Sequence, residues 1–560
     1  MERRFLLAVA LMVAVLVGPS LFMKRTSAAR TAAADSLAAR QATPAGATPA
    51  AATPAAPAPQ GAAVSAPPQG AAAPASATAV FDTVSLGRRD AIYRFSSGGA
   101  TLEQATFPQL KNYRQGEHPP VALVRPGDRM LQSRLVFGAD TVRFDAAPFS
   151  IERRGESFKM SAQAGTLTQS VVVSEVPGQP FLLDVQGEVA GLEGRGALLI
   201  VGMGSGFANA EADSLDNYRH YGVAVRKDSP RSFDFKSVDS GATQTLDGPF
   251  DWVAVKSKYF IGALLSADSA KPQIGGALLV GGARTGRGIA PTLQTSVTMP
   301  VGTDGRYHYQ IYLGPVMQRT LSPLGRDLDR ASPYGWIFKP IVMPVASFIT
   351  RLFLWIHVHI GLSYGLVLVV FGIMVRLLLW PLNQRAMKSQ VAMMAVQPIL
   401  KDLQTRYKND PQKLQQETMR IYKEHHVNPL GGCLPLLLPM PILLALFFVF
   451  ANTIELRGAP FLWLPDLSLR DPLFITPVVM GLSMFGLSKL SQAGMPPNPQ
   501  AKMMTIVMPI MMTVLFFNFA SGLNLYYSVS NLVSLPQQYL INRARQAEMV
   551  RRQVGGGAKT

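Results

Sequence analysis

The sequence predicts a polytopic α-helical membrane core of six spans, five of them C-terminal and one an N-terminal anchor, joined to an extracytoplasmic all-β domain. Three observations predict it. Apolar stretches long enough to cross a bilayer recur at the N-terminus and through the C-terminal third. Between them, residues 81–324 read as short alternating segments divided by Gly, Pro, Asn and Asp. The chain of 560 residues is also 48% hydrophobic while carrying a net charge of +18, and its mean hydropathy is +0.18.

In chain order, Arg3 and Arg4 precede an apolar stretch over residues 5–22, and Lys24 and Arg25 follow it directly. A cleavable signal has a shorter apolar core and a small-residue site, so residues 1–25 are predicted to be an uncleaved signal anchor; Ser27-Ala28-Ala29 leaves cleavage as the other reading. Residues 26–80 are dominated by Ala, Pro, Thr and Ser. Such a composition packs no core and predicts a mobile tether.

Residues 81–324 predict a large β-sandwich. Tyr307, Tyr309, Ile311 and Leu313 alternate with His308, Gln310 and Tyr312, and further strands are expected at 134–137, 166–173, 181–189, 197–201 and 252–265. His118, His220 and His308 show no metal-ligand spacing. The run Gly202 to Gly206 (GMGSG) lacks the Lys-Ser/Thr of a phosphate loop and reads as a turn. A folded spacer or binding module fits this domain better than an enzyme.

Residues 333–545 form the predicted membrane core. Within it, 336–355 is apolar but broken by two prolines and two charges, which favours an amphipathic helix at the membrane surface with Lys339 and Arg351 at the headgroups and Trp336 and Trp355 in the interface. Span 2, residues 363–382 (SYGLVLVVFGIMVRLLLWPL), contains Arg376 and no Asp or Glu. At ~1.5 Å rise per residue the guanidinium lies roughly 20 Å from Ser363, inside a hydrocarbon layer of ~30 Å. A charge there costs on the order of 3 kcal/mol and usually faces a wet cavity or a substrate path; a snorkelling arginine with a stabilising role is the alternative.

Residues 383–430 carry eight basic side chains against four acidic ones. Asn409-Asp410-Pro411 divides them into a cytoplasmic helical hairpin, whose charged face is either simply solvated or a docking surface. Spans 3 to 6 follow at 431–451, 473–490, 503–520 and 523–541, all without Asp or Glu. Pro435, Pro439 and Pro441 are expected to loosen span 3. Span 5 holds Met503, Met504, Met508, Met511 and Met512 and ends in Phe516, Phe517 and Phe519, adaptable side chains that suit varied apolar partners or serve as packing filler. In span 6, Asn524, Ser528, Asn531 and Gln538 form a polar stripe beside Tyr527, either interhelical glue or the wall of a groove.

Residues 546–560 form a short basic tail. Basic residues in the hairpin, in the 489–502 loop and in this tail share one side with Arg3 and Arg4. The positive-inside rule makes that side cytoplasmic, with both termini inside and the β domain outside. Cys433 is the lone cysteine, so no internal disulfide forms. Gly361-Leu362-Ser363-Tyr364-Gly365 matches a nucleophile elbow only in letters, since no strand precedes it. No metal or cofactor is expected, nor direct nucleic-acid binding.

Several motifs resemble the YidC-type membrane protein insertases of the Oxa/Alb group: Asn428-Pro429-Leu430-Gly431-Gly432-Cys433-Leu434-Pro435, Met440-Pro441, Glu455-Leu456-Arg457-x-Ala459-Pro460-Phe461, Asp466-Leu467-Ser468 and Gly522-Leu523-x-Leu525-Tyr526-Tyr527. Residues 251–260 (DWVAVKSKYF) and Tyr312-Leu313-Gly314-Pro315 resemble the large periplasmic domain of that family. The resemblance implies a β-supersandwich in the periplasm, a bacterial inner-membrane location and no bond-making chemistry.

It also implies that Arg376 draws the polar or acidic tail of a client into a hydrated groove lined by Asn524, Tyr527, Ser528, Asn531 and Gln538. The client's apolar segment would slide into lipid along Met440 and Phe447 of span 3 and Met508, Met512 and Phe516 of span 5, driven by apolar burial. Nascent membrane proteins and the bilayer are the implied partners, with the Sec translocon and the ribosome beside them. The tail after Arg552 is too short to support ribosome binding through a basic extension. Pro439 and Ala520 depart from the family pattern, so client contacts do not transfer through them. A secondary transporter for an anionic solute would also use an intramembrane arginine, but no internal repeat accompanies it here.

Overall fold

The computed structural model describes residues 81–556 apart from positions 88, 115, 139, 269–270, 286–287, 332–338, 409, 426–439 and 494–498. The anchor, the linker, Trp336, Cys433, Pro435 and Pro439 lie outside the described residues.

The β domain consists of three antiparallel sheets. A four-stranded sheet takes Thr83–Leu86, Ile92–Ser96, Thr101–Lys111 and Pro120–Ala122 in chain order. The nine-stranded sheet has Phe260–Ser266 and Arg306–Pro315 at its centre, and the six-stranded sheet is built around Leu293–Val301 and Ala197–Gly202. One apolar cluster draws on all three, including Phe95, Phe107, Leu135, Phe158, Val185, Leu199 and Val297.

Strand Arg306–Pro315 shows how the pattern works. Tyr307, Tyr309, Ile311 and Leu313 point into that main core, as their spacing of two requires. Tyr312, on the other face, joins Trp252, Ala254, Ile261, Ala263 and Leu265 in a second cluster closed by Leu321 and Leu328. The chain leaving the last strand therefore covers the outer face of the large sheet, and Trp252 Nε1 donates to Arg326 O at 2.8 Å.

This double burial corrects one expectation. Residues 252–265 form two strands, Trp252–Lys256 and Phe260–Ser266, paired with Val253 opposite Leu264. Ser257 N donates to Phe260 O at 2.8 Å across the turn. Strands buried on both faces read as one apolar run, so the break was hidden.

The helices are α1 (Ser214–Arg219), α2 (Gln318–Leu321), α3 (Lys339–Ile360), α4 (Tyr364–Arg406), α5 (Pro411–Glu424), α6 (Met440–Asn452), α7 (Ile475–Gln492), α8 (Pro499–Phe516) and α9 (Ser521–Gly556). Helix α3 buries Val342, Ala346, Ile349, Phe353 and Ile356, spaced four and three as an amphipathic helix demands. It packs along α6 and runs five residues past the end expected at Trp355. Gly361 stops it with φ +76°, the left-handed conformation that glycine adopts freely. Ser363 is the N-cap of α4, so the GLSYG run is a helix-to-helix turn and holds no nucleophile elbow.

Helix α4 continues from span 2 into the first half of the hairpin as one element of 43 residues. Asp410 caps α5 by accepting from Lys413 N at 3.0 Å. Pro441 lies within the described part of α6, Met440–Asn452. Among the described residues, two helices are long and apolar enough to cross a membrane, over Val342–Ile360 and Tyr364–Gln384; Met440–Asn452 and Thr505–Phe516 are shorter apolar helices. Helix α9 merges span 6 with most of the tail.

Candidate functional site

Helices α4 and α9 cross closely because Gly372 replaces a side chain at the contact. A Cβ there would meet Val529 Cγ1 at 3.2 Å. One turn further along α4, Arg376 points its Nε at Ser530 Oγ, 3.0 Å away. Its surroundings are otherwise apolar and aromatic: Phe371 packs on Tyr526 with centroids 5.8 Å apart, and Tyr526 meets Tyr527 at 6.0 Å. Among the described residues, no carboxylate lies within ion-pair distance of the guanidinium. The site thus presents a part-buried cation whose one resolved partner is a neutral hydroxyl.

The polar stripe of α9 does not meet this arginine. At about 100° per residue, Asn524, Ser528, Asn531 and Gln538 fan along one side of the helix. Asn531 Nδ2 donates to Ser483 Oγ of α7 at 3.2 Å, and Asn524 Nδ2 to Phe516 O at the end of α8 at 3.2 Å. Ser528 Oγ turns back to Asn524 O at 2.8 Å, and Gln538 Nε2 reaches Asn542 Oδ1 at 3.2 Å. Asn542 in turn donates to Leu490 O of α7. These side chains face α7 and α8, or their own helix.

The serine that meets the arginine belongs to a second polar row of α9, Ser530, Ser534 and Gln537, all buried. Sequence reasoning missed it. Its signal was there, three polar residues at i, i+4 and i+7 in an apolar span, but the more strongly polar asparagines drew the attention. Ser534 Oγ donates to Ser530 O at 2.7 Å. Gln537 Nε2 and Asn524 Oδ1 are buried with no hydrogen-bonding partner among the described residues. Each such orphan is costly, and a visiting polar group or water would relieve it.

The apolar candidates are spread over α6 and α8. Phe447 is buried against Phe448 and Phe519, with centroids 5.3 and 5.7 Å away. Phe516 packs on Phe519 at 4.8 Å and on Tyr527 at 5.6 Å. Met508 is buried, whereas Met440 and Met512 are half-buried. On the outside of α7 and α8, Val478, Leu482, Phe485, Ile506, Ile510 and Val514 line a greasy cleft of about 280 Å³. No cluster of metal-ligating side chains occurs among the described residues.

Comparisons with known proteins point to one family. The family described as "60Kd inner membrane protein" matches residues 355–548, and the one described as "YidC periplasmic domain" matches residues 91–356. The "Membrane protein insertase YidC" of Chlorobium limicola is 30% identical over 488 residues, covering 81% of this chain and 82% of that one. The protein of the same description from Francisella tularensis subsp. novicida is 36% identical over 346 residues, covering 59% of each. A crystal structure of an active YidC insertase with its first transmembrane domain resolved aligns over 82% of this chain and 95% of that one, at 17% identity and a TM-score of 0.33. With its β-rich periplasmic domain and its helical membrane region, this chain belongs to the YidC family of membrane protein insertases.

Proposed function

We propose that the protein inserts newly made proteins into the bacterial inner membrane and helps them fold, with Arg376 attracting the polar or acidic tail of the client. The observation that carries this reading is a part-buried guanidinium held by Ser530 at 3.0 Å, with no other hydrogen-bonding side chain and no carboxylate in reach among the described residues. A fixed counter-ion would cancel its field, whereas a hydroxyl leaves most of the charge available to a passing anion. Ser530, Ser534 and Gln537 extend the polar path from Arg376 along α9 with Tyr527 beside it, and Asn524, Ser528, Asn531 and Gln538 brace the same helix against its neighbours.

The client's apolar segment is proposed to leave along Met440 and Phe447 of α6 and Met508, Met512 and Phe516 of α8, with apolar burial at about 25 cal/mol per Å² as the driving force. In this reading six spans cross the membrane, both termini are cytoplasmic, α3 lies at the periplasmic surface and the α4–α5 hairpin receives clients. The Sec translocon and the ribosome are proposed partners.

Purified protein in liposomes tests the reading with a small one-span client bearing an acidic tail. Arg376→Glu is expected to lower insertion roughly tenfold, equivalent to about 1.4 kcal/mol of barrier, while Arg376→Lys retains most of it. Equal insertion by the two variants would show that the sign of the charge is irrelevant. Uptake of labelled anions without client insertion would favour a transporter instead.

A further inference from the structure

Two of the family-like motifs, far apart in sequence, meet in the structure. Arg457, in the loop between α6 and α7, is buried against Glu211 of the β domain. Its Nε lies 2.8 and 3.0 Å from the two carboxylate oxygens, and its Nη2 donates to Ala210 O at 3.0 Å. The guanidinium sits over the ring of Tyr113 at 4.6 Å and near that of Tyr259 at 5.9 Å. Gly458, at φ +67°, lets the loop press on Tyr113; a Cβ there would fall 1.6 Å from the Tyr113 hydroxyl.

The β domain presents a rigid receiver for this arginine. Glu211 N donates to Asn209 Oδ1 at 3.2 Å, and Asn217 Nδ2 to the same oxygen at 2.6 Å. Behind them Lys258 Nζ is paired with Asp216 at 3.0 Å, both side chains being almost fully buried. A charge so desolvated is held in place strongly, since neither partner tolerates losing the other.

The loop that Arg457 anchors also touches the ends of four core helices. It leaves α6 directly. Asp471 ties down the first turn of α7 by accepting from Thr476 N at 2.6 Å. Ser521 and Gly522, which open α9, donate from their backbone N–H to Leu469 O at 2.6 Å and Leu467 O at 3.0 Å. Phe461 occupies the space that a side chain at Gly365 of α4 would need, 2.0 Å from its Cβ position. Those helices carry Arg376, Ser530 and Phe447.

We propose that Arg457 is a positioning residue for insertion: it latches the loop of residues 453–471 to the β domain and so fixes the periplasmic ends of α4, α6, α7 and α9. The assignment rests on the insertase reading above and gives the β domain a mechanical part in it. A merely structural latch would change stability alone, whereas a positioning latch also sets the rate.

The full chain in liposomes provides the test, in a Cys433→Ser background with spin labels on Lys236→Cys and Leu473→Cys, both exposed positions. Arg457→Ala is expected to broaden the label-to-label distance distribution and to slow insertion at saturating client at least threefold. Arg457→Lys, which keeps the charge facing Glu211, restores both. Glu211→Gln is read in parallel; it leaves the helices of the C-terminal part unaltered and is expected to behave as Arg457→Ala does. Unchanged distances in both Arg457→Ala and Glu211→Gln would overturn the latch. Broadened distances with parental insertion rates would overturn its role in positioning. A parent chain that inserts no client would remove the insertase reading itself, and the proposal with it.

Discussion

Arg376 and Asn531 sit on helices that touch, yet they answer to different neighbours. Asn531 donates to Ser483 across the α7–α9 seam, and interhelical bonds of this kind are each worth about 0.6 kcal/mol and at most about 1.7. Asn531→Ala and Ser483→Ala are therefore each expected to lower unfolding free energy in micelles by about 1 kcal/mol, and the double variant to cost clearly less than their sum. Additive losses would show that the bond does not couple the helices. The cation of α4 was legible in the sequence because a charge in an apolar run is conspicuous. Its partner was not, since Ser530 is one of several small hydroxyl residues and only the crossing at Gly372 decides which of them it meets.

Helices and strands were legible where a local signal marks their ends. Asn409-Asp410-Pro411 announced a helix start, and Asp410 does cap α5. Replacing it, Asp410→Ala, is expected to cost about 1 kcal/mol and to reduce protection of residues 412–424 against amide exchange roughly fivefold, leaving α9 unaffected. The join inside α4 was invisible for the opposite reason. A shift from apolar to charged side chains marks a change of surroundings, but it leaves the ladder of backbone hydrogen bonds intact. The division of residues 252–265 into two strands was equally hidden, because both faces are covered and no alternation survives.

Across the whole molecule, the buried polar cluster beneath Arg457 makes stability depend on pH. Burial lowers the pKa of His220 from 6.5 to about 4, only partly opposed by Asp216. The imidazole is therefore neutral in the fold, and the unfolded chain binds the proton first as the pH drops. Its stabilising contribution is complete above about pH 6.5 and is lost as pH falls toward about 4, on the order of 3 kcal/mol. Burial raises the Glu211 carboxyl against the pull of Arg457, which acts with the opposite sign. The contribution of His220 is thus isolated by comparing melting curves of the parent and His220→Gln from pH 7 to 4.5, with the variant expected to show the flatter dependence; parallel curves would contradict it. The two-part architecture was readable from composition, but the docking of one part on the other was not, because Glu211 and Arg457 lie 246 residues apart and neither stands out from other surface charges. At the other end of this framework, the hydroxyl tether of Arg376 has its own consequence. On the function proposed above, an arriving carboxylate would find no resident anion to expel among the described residues and on leaving would surrender its place to nothing stronger than a serine, so that capture and release would both be shallow steps and a passing chain would be detained only briefly.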